Sequence, residues 1–224
     1  PQMDGRAMCE IFGAYGWAES ASCMRYLLDH MLVRGINRFV PHAFSPSFPD
    51  PDCPPHFGGG GVDPQFEAFS TLMRYGNNVA HLFEGAVHCA DAAILYHGEA
   101  EWMSPLGAAM TTGVPAKLLS EAHIDYDILP IDCFLSEKEN RGASVYPAKL
   151  SRNGSLSVGG EKYRCLILPY APDYPQPFLT ALEKLEKKGL RVYRMGVDTD
   201  KASLVREMKK QFTPDVQFAF DYPE

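Results

Sequence analysis

The stretch Met8-Cys9-Glu10-Ile11-Phe12-Gly13-Ala14-Tyr15-Gly16-Trp17 decides how the first part of the chain folds. It begins as a short apolar run and ends in a glycine-rich turn, which is typical of a strand that stops abruptly. A helix follows, because apolar residues recur every three or four positions after Ser20 or Ser22, either of which can cap its first turn. Gly35 ends that helix, and residues 36–40 form a second strand. The pattern is a βαβ unit, and its two strands are predicted to run parallel.

Composition and charge exclude several classes of protein. The 224 residues carry a formal net charge of -7, with 46% hydrophobic and 22% charged residues, which is ordinary for a globular protein. The excess of acidic residues gives no electrostatic reason to expect a nucleic-acid partner. Because no run of eighteen apolar residues occurs, we expect no membrane span. The 6 cysteines have no regular spacing, which favours free thiols and a reducing, cytoplasmic compartment.

A long loop separates the second strand from the next helix. Residues 43–63 are rich in Pro, Gly, Ser and Asp, and loops of this length are usually functional or disordered. The following helix opens at Pro64, a residue that suits the first helical turn. Its predicted buried face consists of apolar residues at helical spacing, namely Phe66, Phe69, Leu72, Met73, Val79, Leu82 and Phe83.

Strands alternate with helices again in the second part of the chain. The predicted strands cover residues 91–96, 126–129, 163–168, 190–195 and 216–220. A hairpin is predicted over residues 145–158, where Asn153-Gly154 supplies the turn. The alternation is typical of a doubly wound parallel sheet. We therefore predict an α/β protein with two domains, over residues 1–88 and 89–224.

Glu10 is the sharpest candidate for chemistry, because it lies at the end of the first strand and just before the glycine turn. In a (β/α)8 barrel, residues at that end of a strand line the active site. A carboxylate there can attack an anomeric carbon or activate water, and the rings of Tyr15 and Trp17 can stack on a sugar. The alternative is an exposed or hydrogen-bonded glutamate with a structural role.

His42 follows the second strand directly. If the two strands are neighbours, His42 and Glu10 point into the same cleft. A neutral imidazole there can donate a hydrogen bond to a sugar hydroxyl or orient the carboxylate. The alternative is a histidine that bonds a backbone carbonyl.

The loop after His42 carries further atoms that can bind metals, at Asp50, Asp52, Cys53 and His56. Their spacing matches no established zinc pattern, so we expect a solvated loop, no metal and no cofactor. Residues 58–61 are four glycines, but they lack the Lys-Ser or Lys-Thr of a phosphate-binding loop. A flexible segment near the mouth of the cleft is the better interpretation.

The second domain lacks the motifs of an enzyme. No Cys or Ser lies between glycines as in a nucleophile elbow, and no Gly-x-Gly-x-x-Gly follows a strand. Cys133 and Cys165 lie in or beside strands, which argues against a cysteine hydrolase. We expect a non-catalytic module that mediates ligand binding or oligomerisation, and in the latter case a homo-oligomer.

Four segments of the chain resemble large bacterial barrel glycoside hydrolases. Residues 8–17 resemble their seventh strand, residues 37–42 their eighth strand, and residues 74–78 their closing helix. Residues 91–96 resemble the first strand of the amidotransferase-like domain that follows the barrel. The relatives in question are the β-galactosidases with a trimerisation domain and the α-L-rhamnosidase-type enzymes. The resemblance covers nearly the whole chain as an order of elements, although its specific motif is short.

The resemblance implies a glycoside hydrolase that cleaves O-glycosidic bonds with two carboxylates. Residues 1–88 would end a (β/α)8 barrel, and residues 89–224 would form a flavodoxin-like, amidotransferase-like domain. Glu10 would be the nucleophile of a retaining enzyme or the general base of an inverting one. The residues expected to shape the carbohydrate site are Tyr15, Trp17 and His42. The other carboxylate belongs to the fourth strand in these enzymes, which this chain lacks, so we expect the chain alone to be inactive.

Overall fold

The computed structural model describes residues 6–44, 50, 52–58, 63–86, 88–136, 138–139 and 146–211. The chain divides into two compact units, residues 1–87 and residues 88–224, and both are α/β units with parallel strands. The strand expected at residues 216–220 lies outside the described residues. All six cysteines are free, and none of the described helices is both long and apolar enough to cross a membrane.

The first unit is a βαβ unit followed by a longer helix. Its elements are β1 (Met8–Ile11), α1 (Ala21–Leu32), β2 (Arg38–Pro41) and α2 (Phe66–Leu82). Strands β1 and β2 pair in parallel, as the sequence predicts, with Glu10 opposite Val40. Of the two serines that can cap α1, Ser20 does so, because its hydroxyl accepts a hydrogen bond from the backbone N–H of Cys23.

An aromatic cluster forms the centre of the first unit. The rings of Phe57 and Phe69 stack with their centroids 4.0 Å apart, and Phe12 meets them edge-on at 6.1 and 6.4 Å. Phe12 is only 1% exposed and lies directly after β1. Since Phe57 belongs to the loop of residues 43–63, part of that loop packs into the core.

Helix α2 packs on α1 through small residues. Gly76 and Ala80 are buried, and a methyl group added at Gly76 would lie 2.8 Å from Cδ2 of Leu28 on α1. The prediction that Leu82 and Phe83 are buried is wrong, because both side chains are exposed. Leu82 follows Ala80 by two positions and therefore faces about 200° around the helix, and Phe83 lies beyond the helix end.

The second unit contains a four-stranded parallel sheet and a small antiparallel one. Its elements are β3 (Ala92–Tyr96), α3 (Gly98–Met103), α4 (Gly113–Glu121), β4 (Tyr126–Pro130), a 3-10 turn (Ile131–Phe134), β5 (Lys149–Leu150), β6 (Leu156–Val158), β7 (Glu161–Tyr163), β8 (Cys165–Pro169), α5 (Gln176–Lys187), β9 (Val192–Met195) and α6 (Lys201–Lys209). The strand order is β4-β3-β8-β9 in the parallel sheet and β5-β6-β7 in the other. The sequence patterns missed α3 and β7, since the strand predicted over residues 163–168 corresponds to β8 and includes only the last residue of β7.

Both faces of the parallel sheet are covered. Along β3, Ala93 and Leu95 pack into one apolar cluster with α5 and the small sheet, whereas Ala92 and Ile94 pack into a second cluster with α4 and α6. Successive side chains of a strand point to opposite faces, so a strand that is buried on both faces must be apolar throughout. This requirement explains the continuous apolar run that marks β3 in the sequence.

An ionic cluster ties down the first described residue of the second unit. Nε2 of His88 lies 2.7 Å from a carboxylate oxygen of Asp125, and Nδ1 lies 3.2 Å from Asp127. Hydrogen bonds to Asp125 and Asp127 raise the pKa of His88 to about 10. Nearby, Arg164 forms an ion pair of 2.9 Å with Asp91. His88 is therefore charged at neutral pH and bound within its own unit.

The aromatic cluster leads to a prediction about stability. Replacing Phe57 with Ala should lower the free energy of unfolding of the first unit by about 3–5 kcal/mol, because it leaves a cavity between two buried rings. The matched control is Phe83→Ala, which removes an exposed ring of the same unit and should change that free energy by less than about 0.5 kcal/mol. Denaturant titration measures both values, and equal losses would contradict the central role of Phe57.

Candidate active site

The parallel pairing of β1 and β2 brings Glu10 and His42 together. The backbone N–H of His42 donates a hydrogen bond of 2.8 Å to the carbonyl of Ile11, which extends the ladder past both strand ends. A methyl group added at Gly13 would lie 3.2 Å from Oε1 of Glu10 and 3.6 Å from Cβ of His42. Both side chains therefore flank Gly13, and an added side chain there would press on the carboxylate of Glu10.

The turn after Glu10 has an unusual backbone. Phe12 and Ala14 have φ angles of 75° and 63°, in the left-handed region that residues with a side chain rarely adopt. Such conformations cost free energy and persist where the surrounding structure enforces them. Here the ring of Phe12 is buried against Phe57 and Phe69, and this packing favours the sharp turn.

Residues 52–58 form a wall across the two strand ends. The backbone N–H of Gly16 donates to the carbonyl of Pro54 at 3.0 Å, and the N–H of Ala43 donates to Pro55 at 3.0 Å. The N–H of Phe57 returns a bond of 2.8 Å to Ala43. This part of the predicted loop is therefore bonded to the turn after β1 and to the segment after β2.

A row of rings connects two of the predicted site residues. The ring of Trp17 lies 5.7 Å from the ring of His56, which in turn lies 6.0 Å from that of His42. His56 is buried, and its Nε2 donates a hydrogen bond of 2.9 Å to the carbonyl of Asp52. Trp17 and Tyr15 are each about half exposed, so their faces are open to a ligand. The sequence patterns did not assign His56 this bridging position.

A small hollow lies beside Glu10. It has a volume of about 230 Å³, and its lining comprises Glu10, Ile11, Phe12, Gly13, Tyr15, Leu27 and Met31. Glu10 and Tyr15 therefore share this hollow, whereas His42 and Trp17 do not line it. Glu10 and Tyr15 therefore form one group of predicted site residues, and His42 and Trp17 form a second group. The two groups are neighbours, because Glu10 and His42 both flank Gly13.

Three potential ligand atoms cluster on the other side of His42. Nε2 of His42 lies 3.4 Å from Oδ2 of Asp52 and 3.9 Å from Sγ of Cys53. Hydrogen bonds from the backbone and the thiol of Cys53 lower the pKa of Asp52. Desolvation raises the pKa of the Cys53 thiol, and the hydrogen bond and charge of Asp52 and the charge of Glu10 raise it further.

Glu19 is a second acidic group that sequence reasoning missed. It lies in the turn that carries Tyr15 and Trp17, is 5% exposed, and neither carboxyl oxygen has a hydrogen-bond partner in the described structure. Desolvation by burial raises its pKa to about 7. A carboxyl group of this kind can hold a proton close to neutral pH, and such groups are frequent in functional sites.

Comparison of the sequence with models of known protein families gave no match, and comparison with curated proteins gave none either. The resemblance of residues 8–17 to barrel glycoside hydrolases therefore remains a prediction. The function has to be argued from the chemistry of the site, because a fold class alone does not determine an activity.

The raised pKa of Glu19 leads to a prediction about stability against pH. A carboxyl group whose pKa in the folded state lies above its ordinary 4.5 binds its proton more tightly in the folded chain than in the unfolded chain. The free energy of unfolding should therefore fall as pH rises from 4.5 to about 7. The fall attributable to Glu19 is on the order of 3 kcal/mol. Glu19→Gln should remove it, whereas Glu67→Gln at an exposed position of α2 should retain it. Denaturant titrations at several pH values compare the variants, and identical slopes for both would refute the assignment.

Proposed function

We propose that the chain is part of a glycoside hydrolase in which Glu10 acts as the nucleophile or the general base. The observation that supports this most strongly is the position of Glu10 at the carboxyl end of a parallel strand, beside His42 on the neighbouring strand. Residues at such strand ends line the active sites of α/β barrels. Exposed aromatic rings at Tyr15 and Trp17 add surfaces on which sugar rings stack.

Glu10 has one of two roles in this proposal. In a retaining reaction, its carboxylate attacks the anomeric carbon while the bond to the leaving oxygen breaks and a second carboxyl group protonates that oxygen. Water then displaces Glu10 from the sugar. In an inverting reaction, Glu10 removes a proton from the water that attacks the anomeric carbon. The carboxyl groups are about 5–5.5 Å apart in the first case and about 6.5–9.5 Å apart in the second.

In this proposal, His42 shapes the carbohydrate site by its position. It flanks Gly13 together with Glu10, and its ring is only partly exposed. Its Nε2 lies 3.4 Å from a carboxylate oxygen of Asp52, and its Nδ1 is buried without a hydrogen-bond partner in the described structure, so its contribution beside Glu10 is steric.

The proposal assigns the second carboxylate to a longer polypeptide. The described part of the first unit contributes two parallel strands, and a (β/α)8 barrel has eight. Met8 on β1 and Val40 on β2 are apolar yet exposed, as strand residues would be where the remaining barrel is absent. In the second unit, the four parallel strands lie side by side in the order β4-β3-β8-β9. When these strands are numbered one to four along the chain, this spatial order is 2-1-3-4, as in flavodoxin-like domains, which supports such a domain here.

The assignment of Glu10 is tested by hydrolysis of aryl glycosides. Glu10→Gln in a protein that contains all eight strands should lower turnover by at least about 10³-fold, because the amide is neither a nucleophile nor a base. Glu67→Gln, an exposed change on α2, is the matched control and should leave turnover unchanged. The 224-residue chain alone should show no turnover, and activity of the Glu10→Gln enzyme near that of the parent would exclude this role.

A covalent trap separates the two roles of Glu10. An activated 2-fluoro glycoside can form a glycosyl ester with a nucleophilic carboxylate, and the fluorine slows hydrolysis of that ester. If Glu10 is the nucleophile, the covalent glycosyl-enzyme therefore accumulates. Mass spectrometry of the peptide that contains Glu10 should then show the added sugar if the reaction retains configuration. If the peptide stays unmodified while Glu10→Gln loses activity, Glu10 acts as the general base.

A second candidate function, self-association, applies to the second unit. Helix α3 and the turn after it expose large apolar side chains, at Trp102, Met103 and Leu106, and Trp102 is 82% exposed. Exposed apolar groups of this size that lie close together often mark protein interfaces. We propose that a second copy of the chain covers them, which agrees with the homo-oligomer expected from the sequence.

The proposed interface is tested by sedimentation velocity on the whole chain. Trp102→Glu should shift the sedimentation profile from an oligomer to a monomer, because it places a charge in an apolar contact. Val197→Glu changes an exposed apolar residue after β9 and should leave the profile unchanged. A parent chain that sediments as a monomer at high concentration would exclude self-association at this surface.

A further inference from the structure

The cluster of His42, Asp52 and Cys53 combines donor atoms of three kinds. Nε2, a carboxylate oxygen and Sγ all lie within 4.8 Å of one another. His42 comes from the end of β2, and the two other residues come from the wall of residues 52–58. The metal-capable residues noted in the sequence were Asp50, Asp52, Cys53 and His56, whose spacing matches no zinc pattern. The fold instead places His42 beside Asp52 and Cys53.

We propose that His42, Asp52 and Cys53 bind a divalent metal ion of the zinc type. Imidazole, carboxylate and thiolate are the ligands that zinc accepts, whereas Mg²⁺ and Ca²⁺ take oxygen ligands. A tetrahedral zinc site places its nitrogen and oxygen ligands about 3.4 Å apart and its nitrogen and sulfur ligands about 3.6 Å apart. The corresponding distances here are 3.4 and 3.9 Å. The two distances from Nε2 of His42 are therefore within a few tenths of an ångström of those in a tetrahedral site.

The electrostatic surroundings also favour a cation. The carboxylate of Asp52 contributes a negative charge within 4.8 Å of the other two ligand atoms, and this charge attracts a divalent ion. A bound metal would in turn stabilise the thiolate of Cys53. Nε2 of His42 faces this cluster, while Nδ1 is buried without a hydrogen-bond partner in the described structure. The ring therefore presents one nitrogen to the proposed site.

Three protein ligands leave the fourth tetrahedral position open. Zinc sites with an open position hold water or a substrate oxygen there, unlike structural sites that have four protein ligands. Glu10 and His42 both flank Gly13, so the proposed site lies on a residue that neighbours Glu10. Sugar hydroxyls are oxygen ligands of this kind. Metal binding itself rests on the three side chains alone and does not require glycosidase activity.

Binding has a defined proton balance. The thiol of Cys53 loses its proton as the sulfur–metal bond forms, and the proton passes to buffer. Metal ligands bind in their deprotonated forms, so Asp52 would bind as the carboxylate and His42 as the neutral imidazole. Each bound ion should therefore release about one proton at neutral pH.

The proposal is tested with Zn²⁺ and Co²⁺ on the reduced, metal-free 224-residue chain. Calorimetry should show one Zn²⁺ bound per chain, and Co²⁺ should produce a thiolate-to-metal absorption band. Cys53→Ser should abolish that band and weaken Zn²⁺ binding by at least about 100-fold, because loss of a direct ligand exceeds loss of an outer-shell partner. Asp52→Asn keeps the side-chain volume and should weaken binding in the same direction.

The matched control is Cys23→Ser, since Cys23 is a free, exposed cysteine on α1 of the same unit. It should retain both the absorption band and the affinity. Circular dichroism checks that each variant is folded, and Asp52→Asn replaces Cys53→Ser as the deciding variant if the latter unfolds. Absence of Zn²⁺ binding by the parent chain, a Co²⁺ band that survives in the folded Cys53→Ser variant, or an unchanged Zn²⁺ affinity in the folded Asp52→Asn variant would overturn the proposal. These readouts do not depend on hydrolysis. Failure of the metal site and failure of the Glu10 assignment can therefore be distinguished.

Discussion

Burial of the Phe12 ring is the constraint on which the geometry of the first unit depends. The ring packs edge-on against Phe57 and Phe69, and its backbone accepts a left-handed conformation to reach them. That conformation ends β1 sharply, one residue after Ile11, beside the turn where Glu10 and His42 flank Gly13. Phe57 belongs to the segment that bonds both strand ends, so one apolar contact positions the strand, the turn and the wall together. Packing of these apolar rings thereby helps to fix the positions of the neighbouring polar groups.

Local periodicity predicted much of this structure from sequence alone. The parallel pairing of the first two strands follows from a βαβ pattern, and the two-faced burial of β3 follows from an unbroken apolar run. The adjacency of Glu10 and His42 then follows, because the carboxyl ends of parallel neighbours lie at the same edge. Where the chain makes contacts within a strand–helix–strand unit, residue spacing is sufficient to predict them.

Contacts between distant segments could not be predicted in this way. The buried face of α2 depends on Gly76 and Ala80, whose small side chains admit Leu28, whereas hydrophobicity alone selects Leu82 and Phe83. The grouping of His42 with Cys53 likewise depends on how residues 52–58 fold back, and the burial of Glu19 has no signal in the local pattern. Two acidic residues near the end of the first strand therefore have contrasting environments, since Glu10 is exposed and Glu19 is buried. The residues next to each of them in the sequence do not predict this difference.

The ionic cluster around His88 has an evolutionary consequence. Its partners, Asp125 and Asp127, belong to the same unit as the histidine, and so do both members of the neighbouring pair of Arg164 with Asp91. The charges that secure the beginning of the second unit are thus encoded within it. A recombination event that joined a different upstream domain just before this histidine would carry all of these interactions along, which makes the junction a natural point for domain exchange.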